Sequence, residues 1–318
     1  GKIGAFTLSM GRHTDHPDTT NLPFSYLIEH DNESRLVPGA NLRSVGTIRD
    51  AQKWPKRDKR TDSNKLDQIN FNLLSPYTIQ KMIEGTNILK SLQKIAGFEC
   101  EKYYYHNTVI KISSLKKGIQ LYNMGITKFL GNSIIKRLEN TRFKSIEEIR
   151  ERLKPDTEYG LGEWVDMAGL ILPKRIVEEL ILNIKNEKYN SLEELNAQYA
   201  QIQNSYYNLE WTWAIKQIEV SLDKTIDEIT IEDIIKLVND WKKAVIDLDN
   251  ILYEDAKKEF TLTVQTGFGA DGDDEEKQKD FENVRGGFNS NPFVLEVKDH
   301  ILRKEALGNE LIERIKDI

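Results

Sequence analysis

The sequence predicts a mainly α protein with minor β, in which a short N-terminal β element is followed by an antiparallel helical domain. Three observations predict it. Apolar residues recur at helical spacing over most of the chain after residue 75. Ser145, Ser191 and Thr230 each stand just ahead of a pair of acidic residues, which marks a helix start. Strand-like segments are confined to the first 38 residues and to a short stretch around residues 103–112.

In order along the chain, residues 2–38 read as extended. Ile3, Ala5, Thr7 and Ser9 alternate with Phe6 and Leu8, and Pro23 to Ile28 is β-prone between turn formers. The segment Gly11–Asp18 between them is a polar loop without periodicity. From Val37 to Asp62 the composition turns basic. Ser75-Pro76 supplies an N-cap and a proline at the first helical position, and Ile79, Met82, Ile83, Thr86, Leu89, Leu92 and Ile95 continue the helix to Gly97. Tyr103–Tyr105 and Val109–Ile112 flank His106-Asn107 as a hairpin, after which Leu115 to Leu138 is helical.

Beyond Lys144 the pattern is helical almost throughout. Ile176 to Ile184 forms one amphipathic helix, and Leu192 to about Leu222 reads as one longer aromatic helix. A helix opening at Thr230 and running toward Phe260 pairs with Pro292 to Ile318 across Thr266–Asn291, a Gly- and acid-rich stretch that reads as a mobile loop. Three regions are expected: 1–62, the β element and basic loop; 63–144, helical with a hairpin; and 145–318, the antiparallel helical domain.

The chain has 318 residues, 39% of them hydrophobic and 30% charged, which excludes collagen-like and wholly disordered classes. No run reaches the roughly 18–20 apolar residues of a membrane span, and the best, Met167–Pro173, is far shorter. No secretory leader is visible, and the initial Gly reads as a tag scar or a processed or truncated start. The single cysteine, Cys100, makes an internal disulfide impossible and fits a reducing, cytoplasmic setting. A net charge of −6 argues against a general nucleic-acid binder.

The loop Arg12-His13-Thr14-Asp15-His16-Pro17-Asp18 concentrates imidazoles and carboxylates, the donor types of a general base or a metal site. His13 and His16, with Asp15, are the catalytic candidates, because imidazole changes protonation near neutral pH. The alternative is an ordinary turn whose side chains satisfy backbone donors. No metal site is assigned, since H-x-x-H in a loop lacks the fixed spacing of a helical metal motif. Arg43, Arg49, Lys53, Arg57 and Arg60, with Arg12, are the ligand-binding candidates: arginine forks and lysine point charges suit phosphate groups. The alternative is a solvated basic face or ion pairs, with Arg49 and Asp50 the pair expected to be partly buried.

The remaining motifs read as structure. Asp271-Gly-Asp-Asp-Glu-Glu lacks the register of a calcium loop. Tyr199 to Trp213 has helical spacing that points to core packing before ligand stacking. Cys100 reads as a small buried hydrophobe, and neither His106 nor His300 receives a catalytic assignment.

At Gly11–Asp18, Leu22–Glu29, Val37–Asp50 and Lys53–Arg60 the chain resembles a bacterial family of unknown function. The resemblance implies longer proteins in which a left-handed β-helix of hexapeptide repeats precedes a helical region. Such a β-helix occurs in trimeric acyltransferases and sugar-nucleotide enzymes. It implies that this chain is a C-terminal part, that Ile3-Gly4-Ala5-Phe6-Thr7-Leu8 is a last rung, and that homo-oligomers form through the β-helix. It also implies that a loop histidine, His13 or His16, would be the base.

Two functions are therefore expected: a binding or catalytic region for a phosphorylated small molecule such as a sugar nucleotide or sugar phosphate, or a helical interaction and assembly module without chemistry. No cofactor is specified.

Overall fold

The computed structural model describes residues 1–62, 66–261, 263–269 and 272–318, and within them the chain is mainly α with minor β. Strands β1 (Leu8–Met10), β2 (Tyr26–His30) and β3 (Glu33–Val37) lead through a 3-10 turn to α1 (Val45–Arg57) and α2 (Pro76–Ala96). Hairpin β4 (Lys102–Tyr105) and β5 (Thr108–Lys111) runs directly into α3 (Ile112–Leu138), followed by α4 (Ile146–Leu153) and a second hairpin, β6 (Trp164–Met167) and β7 (Leu170–Pro173). The rest is α5 (Lys174–Lys185), α6 (Leu192–Asn204), α7 (Tyr206–Leu222), α8 (Ile231–Lys257), α9 (Asp274–Arg285) and α10 (Pro292–Lys316).

The first five strands form an open mixed sheet in the order β1-β2-β3-β5-β4. Leu27 pairs with Leu36, Tyr103 pairs with Ile110, and all four are buried, so one face of the sheet carries the core. The hairpins close with two residues of positive φ each: Asp31 and Asn32, His106 and Asn107, and Ala168 and Gly169. Such turns match the right-handed twist of the strands they join. Helices α2 and α3 cover the apolar face, α8 packs on α3, and α10 on α8. A continuous hydrophobic cluster extends from Leu22 and Leu27 in the sheet region to Ile315 in α10.

Local chemistry sets the helix starts. The Ser75 and Thr78 side chains form a reciprocal cap ahead of Pro76, and Thr230 with Asp233 does the same for α8. Ser145 and Ser191 accept from the backbone N–H of Glu148 and Glu194. The close approach of α3 and α8 depends on Gly131: a Cβ there would lie 2.3 Å from Cβ of Trp241. The Trp241 indole is fully buried and donates to Asn132 Oδ1 at 2.8 Å.

The structure departs from the sequence expectation in four places. The helix expected over 192–222 is two helices, α6 and α7. Ser205 separates them, its hydroxyl donating back to the Ile202 carbonyl at 2.9 Å, a local bond that competes with helix continuation. Residues 164–173, in a region expected to be helical, form the β6–β7 hairpin. Its strands are too short to express a two-residue period, but Trp164 and Leu172 fill the core.

The expected mobile loop over 266–291 contains α9. Asp273 caps it by accepting from Glu275 and Glu276, and Phe281 buries itself against Phe260 and Phe268. The acids read as loop residues thus form a helical first turn, where negative charge is favourable; Asp271 lies outside the described residues, as do residues 63–65, where the first two expected regions meet. Cys100 is partly exposed, its thiol donating to the Lys102 carbonyl at 3.0 Å.

The α3–α8 crossing yields a prediction. Gly131→Ala is expected to destabilise the chain by roughly 1–3 kcal/mol through overpacking against Trp241. Denaturant unfolding checks this, and an unchanged midpoint and slope would contradict the close crossing.

Candidate functional site

The basic stretch folds into α1, so its charges acquire a direction. Arg49, Lys53 and Arg57 repeat every four residues and therefore share one helical face. That face forms one wall of a groove of about 420 Å³, lined by Arg49, Gln52, Lys53, Lys56 and Arg57 of α1. The opposite wall comes from the 3-10 turn that follows α8 and from the start of α10, and includes Glu259, Phe260, Phe293 and Glu296. The floor, Val45 and Ala256, belongs to a small hydrophobic cluster with Val294, on which Tyr253, Phe288 and Phe293 pack.

α1 is fixed to that floor at its N-terminus. Ser44 makes no side-chain cap; instead the Val45 N–H donates to the Asp255 carboxylate of α8 at 3.1 Å. On the other side, Asn291 caps α10 by accepting from the N–H groups of Phe293 and Val294. The groove is thus framed by two helix starts, one capped from its own chain segment and one by a carboxylate from a distant helix.

The basic candidates do not act as one set. Arg49 and Asp50 are both exposed, contrary to the partly buried pair expected, and the Asp50 carboxylate bonds Lys53 at 2.6 Å. That hydrogen bond holds Asp50 below the usual carboxylate range. Lys56 donates to Gln52 at 2.8 Å. Arg60 is held by two carboxylates, Asp58 and Asp67, and its guanidinium hydrogen bonds hold Asp67 below its ordinary range. Arg43 sits beside a neighbouring cleft with Lys117, Glu254 and Asp255. Arg49, Lys53 and Arg57 are the sequence candidates that the structure brings together.

The Gly11–Asp18 loop sits elsewhere on the sheet. Gly11 adopts φ 95°, and a Cβ there would fall 2.5 Å from Cβ of Glu29. His13 Nδ1 and the Ser34 hydroxyl are 2.9 Å apart, while its buried Nε2 has no hydrogen-bond partner. The Asp15 carbonyl accepts from the Asn107 amide at 2.7 Å, and His16 is exposed with φ 52°. Arg12 is exposed. Among the described residues no hydrogen bond or ion pair joins the side chains of His13, Asp15 and His16, and none of them lines the groove. No three His, Cys, Asp or Glu side chains among the described residues cluster as metal ligands would.

Sequence reading missed a polar cluster centred on buried Asp249 between α3, α8 and α10. His300 Nδ1 lies 2.6 Å from the Asp249 carboxylate, whose other oxygen is 3.8 Å from Lys128 Nζ. Burial pushes the Lys128 ammonium below its ordinary pKa, and the Asp249 charge opposes that shift. The available signal was positional: Asp249 falls in the apolar stripe of α8 beside Val245, Leu248 and Leu252.

Comparison with known families adds one further observation. Residues 145–315 match the family described as Domain of unknown function (DUF6819). That match spans more than half of the chain. The chain belongs to the DUF6819 family. Residues 1–93 match a second family, Domain of unknown function (DUF4954), while no curated protein and no solved structure matches. DUF6819 supplies α8 and α10, whereas α1 lies in the second match, so the groove forms where the two matched segments meet.

Proposed function

We propose that the groove between α1 and the α8–α10 pair binds a phosphorylated small molecule of the sugar phosphate or sugar nucleotide class. The observation that carries this reading is the division of chemistry between its walls. Arg49, Lys53, Lys56 and Arg57 offer charge-assisted donors to phosphate oxygens on one side. Glu259 and Glu296 offer acceptors to sugar hydroxyls on the other, with Phe260 and Phe293 as apolar surface for a ring. The volume suits a ligand of that size. The reading assigns no reaction. Should chemistry occur, His13, His16 and Asp15 are the candidate bases, and a movement of their loop would have to bring them to the groove.

The test is a thermal-shift and calorimetric titration with hexose phosphates and sugar nucleotides, because ligands that bind the native state raise its melting temperature. Arg49→Ala and Arg57→Ala are each expected to weaken binding by about tenfold or more, the worth of a charge-assisted hydrogen bond. Lys243→Ala, on α8 outside the groove, is expected to leave it unchanged. Equal affinity in both arginine variants and the wild type would remove the reading.

A second reading rests on α5 and α6. In α5 only Leu180 is buried, whereas Ile181 and Ile184 remain 47% and 46% exposed; α6 buries none of its residues and leaves Leu192 73% exposed. Apolar side chains left open on two helices consecutive in the chain favour an assembly module. Light scattering is expected to show an oligomer that Ile181→Glu with Ile184→Glu dissociates. A monomer mass independent of concentration would count against it.

A further inference from the structure

Helices α3, α4 and α7 converge on a second cleft, of about 190 Å³, lined by Ser133, Lys136, Arg137, Arg152, Glu210 and Trp211 among others. It shares no lining residue with the α1 groove. Its cations are not balanced. Arg137 is ion-paired with Asp156 and lies over the Trp211 ring, 4.5 Å from its centre. Lys136 is held over the Tyr207 ring at 3.6 Å, and Arg152 Nε donates to the Arg137 carbonyl at 3.2 Å. Among the described residues neither Lys136 nor Arg152 has an ion-pair partner.

The carboxyl in the cleft is Glu210. Burial pushes it up to about 7, against the opposing effects of the Tyr206 hydroxyl and Lys136. Behind it, the Tyr206 hydroxyl is buried beside Glu210, Asn70 and Asn72 without a hydrogen bond in good geometry. The cleft therefore offers two exposed cations that, among the described residues, no carboxylate holds in an ion pair, together with a carboxyl whose burial favours its protonated form. An anion would satisfy both, accepting from the cations and from the protonated acid.

We propose that the cleft between α3, α4 and α7 binds a compact oxyanion, a phosphate ester or a small carboxylate, between Lys136 and Arg152 with Glu210 donating a hydrogen bond to it. The volume holds a group of a few heavy atoms, not a nucleotide. The charged and titratable groups facing Glu210 are Lys136 and Arg137 on α3, Arg152 on α4, Asp156 after it, and Tyr206 and Tyr207 on α7. A bound anion favours the protonated carboxyl, so anion and proton bind together. Affinity falls as pH rises through the Glu210 titration, where a carboxylate would repel the ligand.

Titration calorimetry on the full chain tests this, using sulfate as a non-titrating stand-in for a phosphate ester and malonate as the carboxylate. Measurements at pH 7 in two buffers of different ionisation enthalpy count protons. Saturable binding of one probe is expected, with net proton uptake and with tighter binding at pH 6 than at pH 8. The probe that binds identifies the source of the anion. Lys136→Met and Arg152→Met are each expected to weaken binding by about tenfold, Arg49→Ala to leave it intact, and Glu210→Gln to retain binding while losing proton uptake. Absence of saturable binding by either probe, full affinity in both cation variants, or proton uptake that survives in Glu210→Gln overturns the proposal. If Glu210→Gln fails to fold, equal wild-type affinity at pH 6 and pH 8 overturns it.

Discussion

The Trp241 indole lies between two glycines on different helices. On one side Gly131 lets α3 approach to the distance set by the tryptophan Cβ, and on the other a Cβ at Gly308 of α10 would stand 3.3 Å from the far edge of the ring. The indole N–H is satisfied by Asn132, so this tryptophan is fully buried without an orphaned donor. Because α3 also runs directly out of β5 and packs against α2, this contact fixes α8 and α10 relative to the sheet. The groove follows from it: α8 carries Asp255 to the N-terminus of α1, and α10 carries Asn291 and Phe293 to the opposite rim. Close packing of this kind transmits displacement because interiors have little free volume.

Two kinds of charge accompany that frame. Asp249 is buried between the three long helices with half-buried Lys128 and His300 against it; removing its partners strands the carboxylate, whereas replacing the whole set by apolar residues need not be costly. The charges of α1 are exposed and only partly neutralised, so individually they contribute little to stability. Cations that stabilise little but line a formed groove have their main consequence for what approaches it. The Lys136, Arg152 and Glu210 cleft lies between these extremes, half-enclosed and with a carboxyl whose burial opposes its ionisation.

How far the sequence could be read follows from the range of each interaction. Helix starts at Ser75, Ser145, Ser191 and Thr230 were legible because a cap and its partner lie three residues apart. The His106-Asn107 turn was legible for the same reason. The break at Ser205 was not, since no Pro or Gly marks it, and α9 was obscured by a composition that suits both a loop and an acidic first helical turn. The basic residues were recognised as a group, but their division was not visible. Asp67 takes Arg60 out of the set, while the facing wall comes from residues about 200 positions later in the chain. Glu210, Lys136 and Arg152 sit on three helices, so no local spacing pointed to them together.

The proposed site for a phosphorylated ligand is the groove made by α1, α8 and α10. Hydrogen–deuterium exchange on the full chain, with and without a saturating hexose phosphate or sugar nucleotide, tests it most directly, because local opening sets exchange at each amide. Slower exchange is expected over residues 45–57 and 291–296, with residues 12–16 unaffected. Protection confined to residues 12–16, or no protection with any of these ligands, would contradict it.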